Sequence, residues 1–107
     1  MAPSPVHLVV VDGDSMQPAL SPGDRLLVIR LRPRVGDVVA LRHRDRTIVK
    51  RVAAIDGDAV TVLGDNVDGS TDSRTFGPVP RTSLLGRAVY RYAPAARSGR
   101  VPSRSGG

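Results

Sequence analysis

No uninterrupted apolar run in this 107-residue chain is longer than the four residues of Leu8–Val11. Turn chemistry separates the runs: Ser21-Pro22-Gly23-Asp24, Val35-Gly36-Asp37, Asp56-Gly57-Asp58 and Gly77-Pro78. Short runs between such turns read as strands, because proline and glycine break helices and Asp-Gly pairs close tight hairpins. The pattern predicts strands at 6–11, 25–29, 37–42, 46–55, 59–63 and 84–92. Arg44-Asp45 is the expected tip between the third and fourth, and 64–83 reads as loop-rich. The fold class is all-β, a barrel or sandwich with little helix.

The length fits one domain. Residues 1–5 read as a disordered N-terminus, 6–92 as the domain, and 93–107 as a disordered basic tail rich in Ala, Pro, Ser, Gly and Arg. Cysteine is absent, which excludes disulfides and thiol chemistry. With two histidines and no glutamate, neither a metal nor any other cofactor is expected. A spanning helix needs about 20 apolar residues, so no transmembrane anchor is expected. The first five residues also lack the basic start and apolar core of a secretory signal. The expected location is cytoplasmic, with the membrane surface as the alternative. The net charge of +6 reflects arginine bias and the basic tail; anionic headgroups are the other partner it would suit. Three aromatics, Phe76, Tyr90 and Tyr92, offer few platforms for stacking bases, so no nucleic-acid partner is expected. Arg30, Arg32 and Arg34 alternate with Leu31 and Pro33 and read as a solvated edge.

The chemistry concentrates in Asp12-Gly13-Asp14-Ser15-Met16-Gln17-Pro18-Ala19-Leu20. The first strand breaks at Gly13, and Pro18 and Pro22 prevent a long helix, so at most one helical turn follows Ser15. A serine at such a break is exposed on a fixed backbone, but its hydroxyl needs a base. His7 lies within a strand, and His43 sits among Arg42, Arg44 and Arg46. Lys50 is the sole lysine, beside fifteen arginines. Arginine does not deprotonate in proteins; lysine can when burial lowers its pKa. Strand alternation gives Lys50 the apolar face-mates Ile48 and Val52. The alternative is that one position escaped an arginine-biased composition.

A third stretch completes a pattern: Gly64-Asp65-Asn66, then Ser70-x-Asp72-Ser73-Arg74. With Ser15-Met16-x-Pro18-x-Leu20, Gly36-Asp37-Val38-Val39 and Lys50-Arg51-Val52, it makes four boxes in order. Over residues 8–90 the chain resembles the type I signal peptidases, the serine–lysine endopeptidases. The resemblance implies a compact, coiled β-barrel-like core of the signal peptidase/LexA type. Larger members insert a second β region where this chain has only residues 53–63.

The resemblance further implies Ser15 as nucleophile and Lys50 as general base. Ser70 would orient Lys50, and Asp72 and Arg74 would form a supporting ion pair. Asp65 and Asn66 would shape the same turn. Met16 and Pro18 would shape the nucleophile turn and line the cleft. In some relatives a serine two residues before the nucleophile donates to the oxyanion; Gly13 stands there in this chain, leaving the Ser15 N–H as the obvious donor. The implied activity is removal of an N-terminal leader or signal peptide from a protein. Among family forms, the short, anchor-free shape is most similar to the maturation proteases of nickel-type superoxide dismutase. A signal peptidase I acting at the membrane without its own anchor is the next reading. Self-cleaving repressors share the fold and dyad, but residues 1–5 provide no DNA-binding segment. From a different class comes a non-catalytic β module that binds anionic surfaces through its arginines.

Overall fold

The structure, a computed structural model, describes residues 5–104. Residues 1–4 of the expected N-terminal disorder and 105–107 of the expected tail lie outside the described residues. Eight strands make one sheet: β1 (Val6–Val10), β2 (Arg25–Ile29), β3 (Val38–His43), β4 (Arg46–Asp56), β5 (Ala59–Leu63), β6 (Val79–Pro80), β7 (Leu84–Ala93) and β8 (Gly99–Arg100). Among the described residues one short α-helix, α1, covers Ser73–Phe76, and single 3-10 turns cover Val67–Gly69, Arg81–Ser83 and Ala95–Arg97. All pairings are antiparallel, in the order β1-β2-β7-β3-β4-β5-β6, with β8 also on β7. The sheet is coiled but does not close into a barrel, since β1 and β6 end the order.

The predicted hairpins form for local reasons. Arg44 and Asp45 turn β3 into β4 with φ of 51° and 62°, the left-handed pair that a two-residue hairpin loop requires. Gly57 takes φ 58° at the next tip. Register shifts in the β2–β7, β3–β7 and β4–β5 ladders add twist and let the sheet fold over on itself.

β3 divides the core. Its alternation sends Val38 and Ala40 into one buried cluster, with Val9, Val11, Met16, Leu20, Leu26 and Val28 among its members. Val39 and Leu41 face a second cluster with Val52, Val60, Val62 and Val79. Strand alternation places Lys50 on the side of Ile48 and Val52, facing the second cluster.

The segment after residue 93, expected to be disordered, is built into the domain as far as residue 104. Its β8 pairs with Tyr90 and Arg91 of β7. β2 already occupies one edge of β7 there, so β8 lies on the other edge, beyond the end of β3. Val101 packs on the first cluster, and Arg104 N donates to Gly36 O at 2.9 Å. Composition misreads this stretch because its anchors are single side chains and backbone groups, not a periodic pattern.

Candidate active site

The turn that carries Ser15 is held at both ends. Val11 N donates to Asp24 O and Gly23 N to Val11 O, both at 2.8 Å. Between them Gln17 N donates to Asp14 O and Leu20 N to Met16 O, two successive turns in place of the helical turn expected, with the Gln17-Pro18 bond cis. The fully buried Asp24 carboxylate accepts from Ser21 N at 2.9 Å, from Arg91 at 3.1 Å and from Arg97. Burial works to raise the Asp24 pKa, but these bonds outweigh it and bring it below the usual carboxylate value. Arg91 also donates to Ala19 O at 3.2 Å. Gly13 has φ 82°, a conformation that favours glycine.

Met16 and Pro18 differ from their expected place. Met16 is 1% exposed inside the first core cluster, and Pro18 is exposed away from the cleft walls. The turn uses Met16 and Leu20 as apolar anchors, which fixes the half-buried Ser15 between them and the solvent. Neither Met16 nor Pro18 is among the walls of the cleft described below.

Lys50 is 4% exposed, and its Nζ donates to Ser70 Oγ at 3.2 Å. Burial pushes its pKa down; the nearby Asp72 charge opposes this and Arg74 adds to it. Ser70 Oγ in turn donates to Asp72 Oδ2 at 2.9 Å. Asp72 is completely buried and also accepts from Gly64 N at 2.8 Å and from Arg74 N at 3.1 Å. The Arg74 guanidinium pairs with both its oxygens. Burial alone would raise the Asp72 pKa, but the Arg74, Gly64 and Ser70 bonds reverse the sign and hold it far below the usual carboxylate range. Asp72 also caps α1, so one carboxylate ties together helix start, strand end and Ser70.

Asp65 and Asn66 reach further than their own turn. Asn66 N donates to Ser15 O at 2.8 Å and Asn66 Nδ2 to Asp14 O at 3.1 Å. Asp65 points the other way and takes a two-pronged bond from Arg51, at 2.9 and 2.8 Å. The loop therefore joins the Ser15 turn on one side to the Lys50 strand on the other. Arg51 is the residue that sequence reasoning missed as part of this frame. Its signal was adjacency to Lys50 and burial in a strand. Arg91 and Arg97 gave no local signal, because their bonds to Asp24 span 67 and 73 residues.

Ser15, Lys50, Gly13, Val10, Thr47 and Thr71 are among the walls of one open cleft of about 190 Å³. Among the described residues the Ser15 hydroxyl and backbone N–H make no hydrogen bond, and Lys50 Nζ is bonded to Ser70, not to Ser15. The described residues contain no cluster of three or more His, Cys, Asp or Glu that could hold a metal. No helix among them is long and apolar enough to cross a membrane.

Comparison with known proteins places this arrangement. The family model described as signal peptidase, peptidase S26, matches residues 3–62 and 59–93. The two pieces meet in β5, between the Lys50 strand and Gly64. Mitochondrial inner membrane protease subunit 1 of Xenopus tropicalis is 31% identical over 116 residues, covering 82% of this chain and 70% of that protein. Mitochondrial ATP-independent inner membrane protease subunit 1a of Arabidopsis thaliana is 36% identical over 115 residues, covering 78% and 68%. Probable signal peptidase I-1 of Synechocystis is 26% identical over 145 residues, covering 87% and 74%. Each match runs over more positions than this chain possesses, so the relatives carry insertions within it. With the family model matched along most of its length, the chain belongs to the S26 signal peptidase family of peptidases.

Proposed function

We propose that this protein is a serine endopeptidase that removes an N-terminal leader or signal peptide, with Ser15 as nucleophile and Lys50 as general base. The observation that carries this reading is the burial of the only lysine in a cleft whose wall also carries Ser15. Buried lysine loses its proton more readily, and a neutral amine can take the Ser15 proton. Ser15 Oγ then attacks the scissile carbonyl. The Ser15 N–H faces the developing oxyanion. The protonated Lys50 returns its proton to the departing amine, leaving an acyl-enzyme. A water then gives a proton to Lys50 as its oxygen bonds to the acyl carbon; the bond from that carbon to Ser15 Oγ breaks, Lys50 passes the proton to Oγ, and the acid product leaves with serine and neutral lysine restored. Ser70 and Asp72 hold the amine in place throughout. The Asp72 charge works to raise the Lys50 pKa but does not overcome burial; its carboxylate is already committed to Arg74, Gly64 and Ser70 and does not pair with Lys50 directly.

The substrate by this reading is a protein with an exposed leader; the precursor of a nickel-type superoxide dismutase is a specific candidate. A membrane-surface site of action is favoured by one feature. On β1, Val6, Leu8 and Val10 are 45%, 68% and 57% exposed, an apolar row whose last member lines the cleft.

The test is mass spectrometry of leader peptides, including a nickel-dismutase leader and an Ala-x-Ala signal peptide, with and without anionic vesicles. Cleavage lost in both Ser15→Ala and Lys50→Ala is expected, and the cut site names the substrate. Cleavage retained in both variants overturns the dyad. Salt-sensitive vesicle binding unchanged in both variants, with no cleavage by any form, favours the non-catalytic β module.

A further inference from the structure

A second cavity opens beside the cleft. It has a volume of about 340 Å³ and shares Arg46, Ile48 and Thr71 with the cleft as walls. Its base is apolar: the His43 ring stacks on Phe76 with centroids 4.1 Å apart and planes at 28°, and Ile48 lies alongside. Its rim is cationic, formed by Arg44 and Arg46, and no acidic residue lines it. These two arginines differ from the ones that build the fold. Arg51, Arg74, Arg91 and Arg97 are each paired with a buried aspartate. Among the described residues Arg44 makes no hydrogen bond or ion pair. The one ion pair of Arg46, with Asp12 at 3.4 Å, is 73% and 83% exposed and so is weak. Of these two arginines only Arg46 also lines the cleft, where it stands beside Asp12.

We propose that this cavity is a substrate subsite that takes an acidic side chain of the peptide being cut. The inference rests on the peptidase reading and names a chemistry for its substrate. The methylenes of a Glu or Asp would lie on Ile48 and Phe76. Its carboxylate would meet two guanidinium forks, the planar donors that suit carboxylates best. The left-handed backbone at Arg44 fixes where the hairpin tip presents that residue. Because the two cavities share walls, the acid belongs within about three residues of the scissile bond, roughly 10 Å of extended chain.

The experiment uses leader peptides that differ only in carrying Glu, Gln or Lys, with the substitution walked through three residues on either side of the cut. Binding to the Ser15→Ala protein is read by fluorescence anisotropy at low and high salt, and kcat/KM is read with the parent. At one position Glu should bind about tenfold more tightly than Gln, and the difference should shrink in high salt. In an Arg44→Glu, Arg46→Glu double variant the preference at that position should invert towards Lys. Equal binding of the Glu and Gln peptides at every position, binding of neither, or a Glu preference that survives the double substitution overturns the subsite. Binding needs no chemistry, so the two readings fail separately. A Glu preference without cleavage by the parent would sink the peptidase and keep the subsite. Cleavage that depends on Ser15 but ignores the acid would do the reverse.

Discussion

Gly64 and Ser70 approach so closely that a Cβ on residue 64 would lie 2.1 Å from Ser70 Oγ, and 2.7 Å from Ser15 O. A glycine at this point lets Ser70, the partner of Lys50, and the Ser15 turn close on the same loop. Gly64→Ala must push one or both away. Overpacking of this kind destabilises by about 1–3 kcal/mol, and the displaced Ser70 would release Lys50. The expected outcome is a lower Tm together with at least tenfold slower leader cleavage. A variant that cleaves at the parent rate would show that the contact does not set the site.

The lowered pKa of Lys50 fixes the sign of two pH effects. A general base must be neutral, so cleavage should rise as pH climbs through the Lys50 pKa and level off before the ordinary lysine value of 10.5. Lys50→Arg keeps the charge at every accessible pH and should lose activity on the order of 10³-fold. Stability moves in a related way. Between the folded pKa and 10.5 the unfolded chain holds more protons at this position, so stability rises with pH across that window, and below it the penalty is complete. Lys50→Met should therefore raise Tm at neutral pH while abolishing cleavage. Thermal melts of parent and variant from pH 6 to 10 should converge at the alkaline end, and parallel curves would refute the assignment.

Asp72 has the opposite linkage. Its folded pKa lies below the ordinary value of 3.8, so its contribution is complete above that value and disappears as pH falls through the folded pKa. Asp72→Asn should lose about 2 kcal/mol near neutrality, the scale of a charge-assisted hydrogen bond. Its stability should also depend less on pH in the acid range than the parent's. Urea denaturation at pH 7 and at pH 3 reads both effects, and an equal loss at the two values would exclude this role.

The strands were legible because each apolar run is short and the turns announce themselves: Arg44-Asp45 and Gly57-Asp58 sit between β3, β4 and β5. Ser15 and Lys50 were legible for different reasons, one as a serine at a strand break and the other as a lone lysine among arginines. Less visible were contacts between residues distant in sequence. The cleft role of Met16 came from the resemblance alone, and only the three-dimensional core shows that its side chain is buried. β8 was missed because two residues cannot display a period of two. The Asp24 anchors lie on β7 and just after it, and nothing near Asp24 in sequence points to them.

Arg51 and Asp65 provide the last prediction. Their side chains are 9% and 4% exposed, so the pair is buried and flanks the residues that matter: Arg51 follows Lys50, and Asp65 precedes the Asn66 that holds Ser15 O. Removing one partner leaves a buried charge without its counter-ion and costs about 3–5 kcal/mol. Arg51 also donates to Gly36 O at 2.9 Å and to Pro102 O at 3.1 Å, so the carboxyl-terminal segment shares in its solvation. Asp65→Asn should destabilise more than removal of residues 99–107, because Arg51 then keeps only carbonyl acceptors. The truncation should still lower Tm, since it strips Val101 from the first core cluster and Pro102 O from Arg51. Combining the two changes should give less than the sum, because both act on the same guanidinium. Urea titration of the four proteins measures this; strict additivity would mean that the segment and the ion pair do not act on the site frame together.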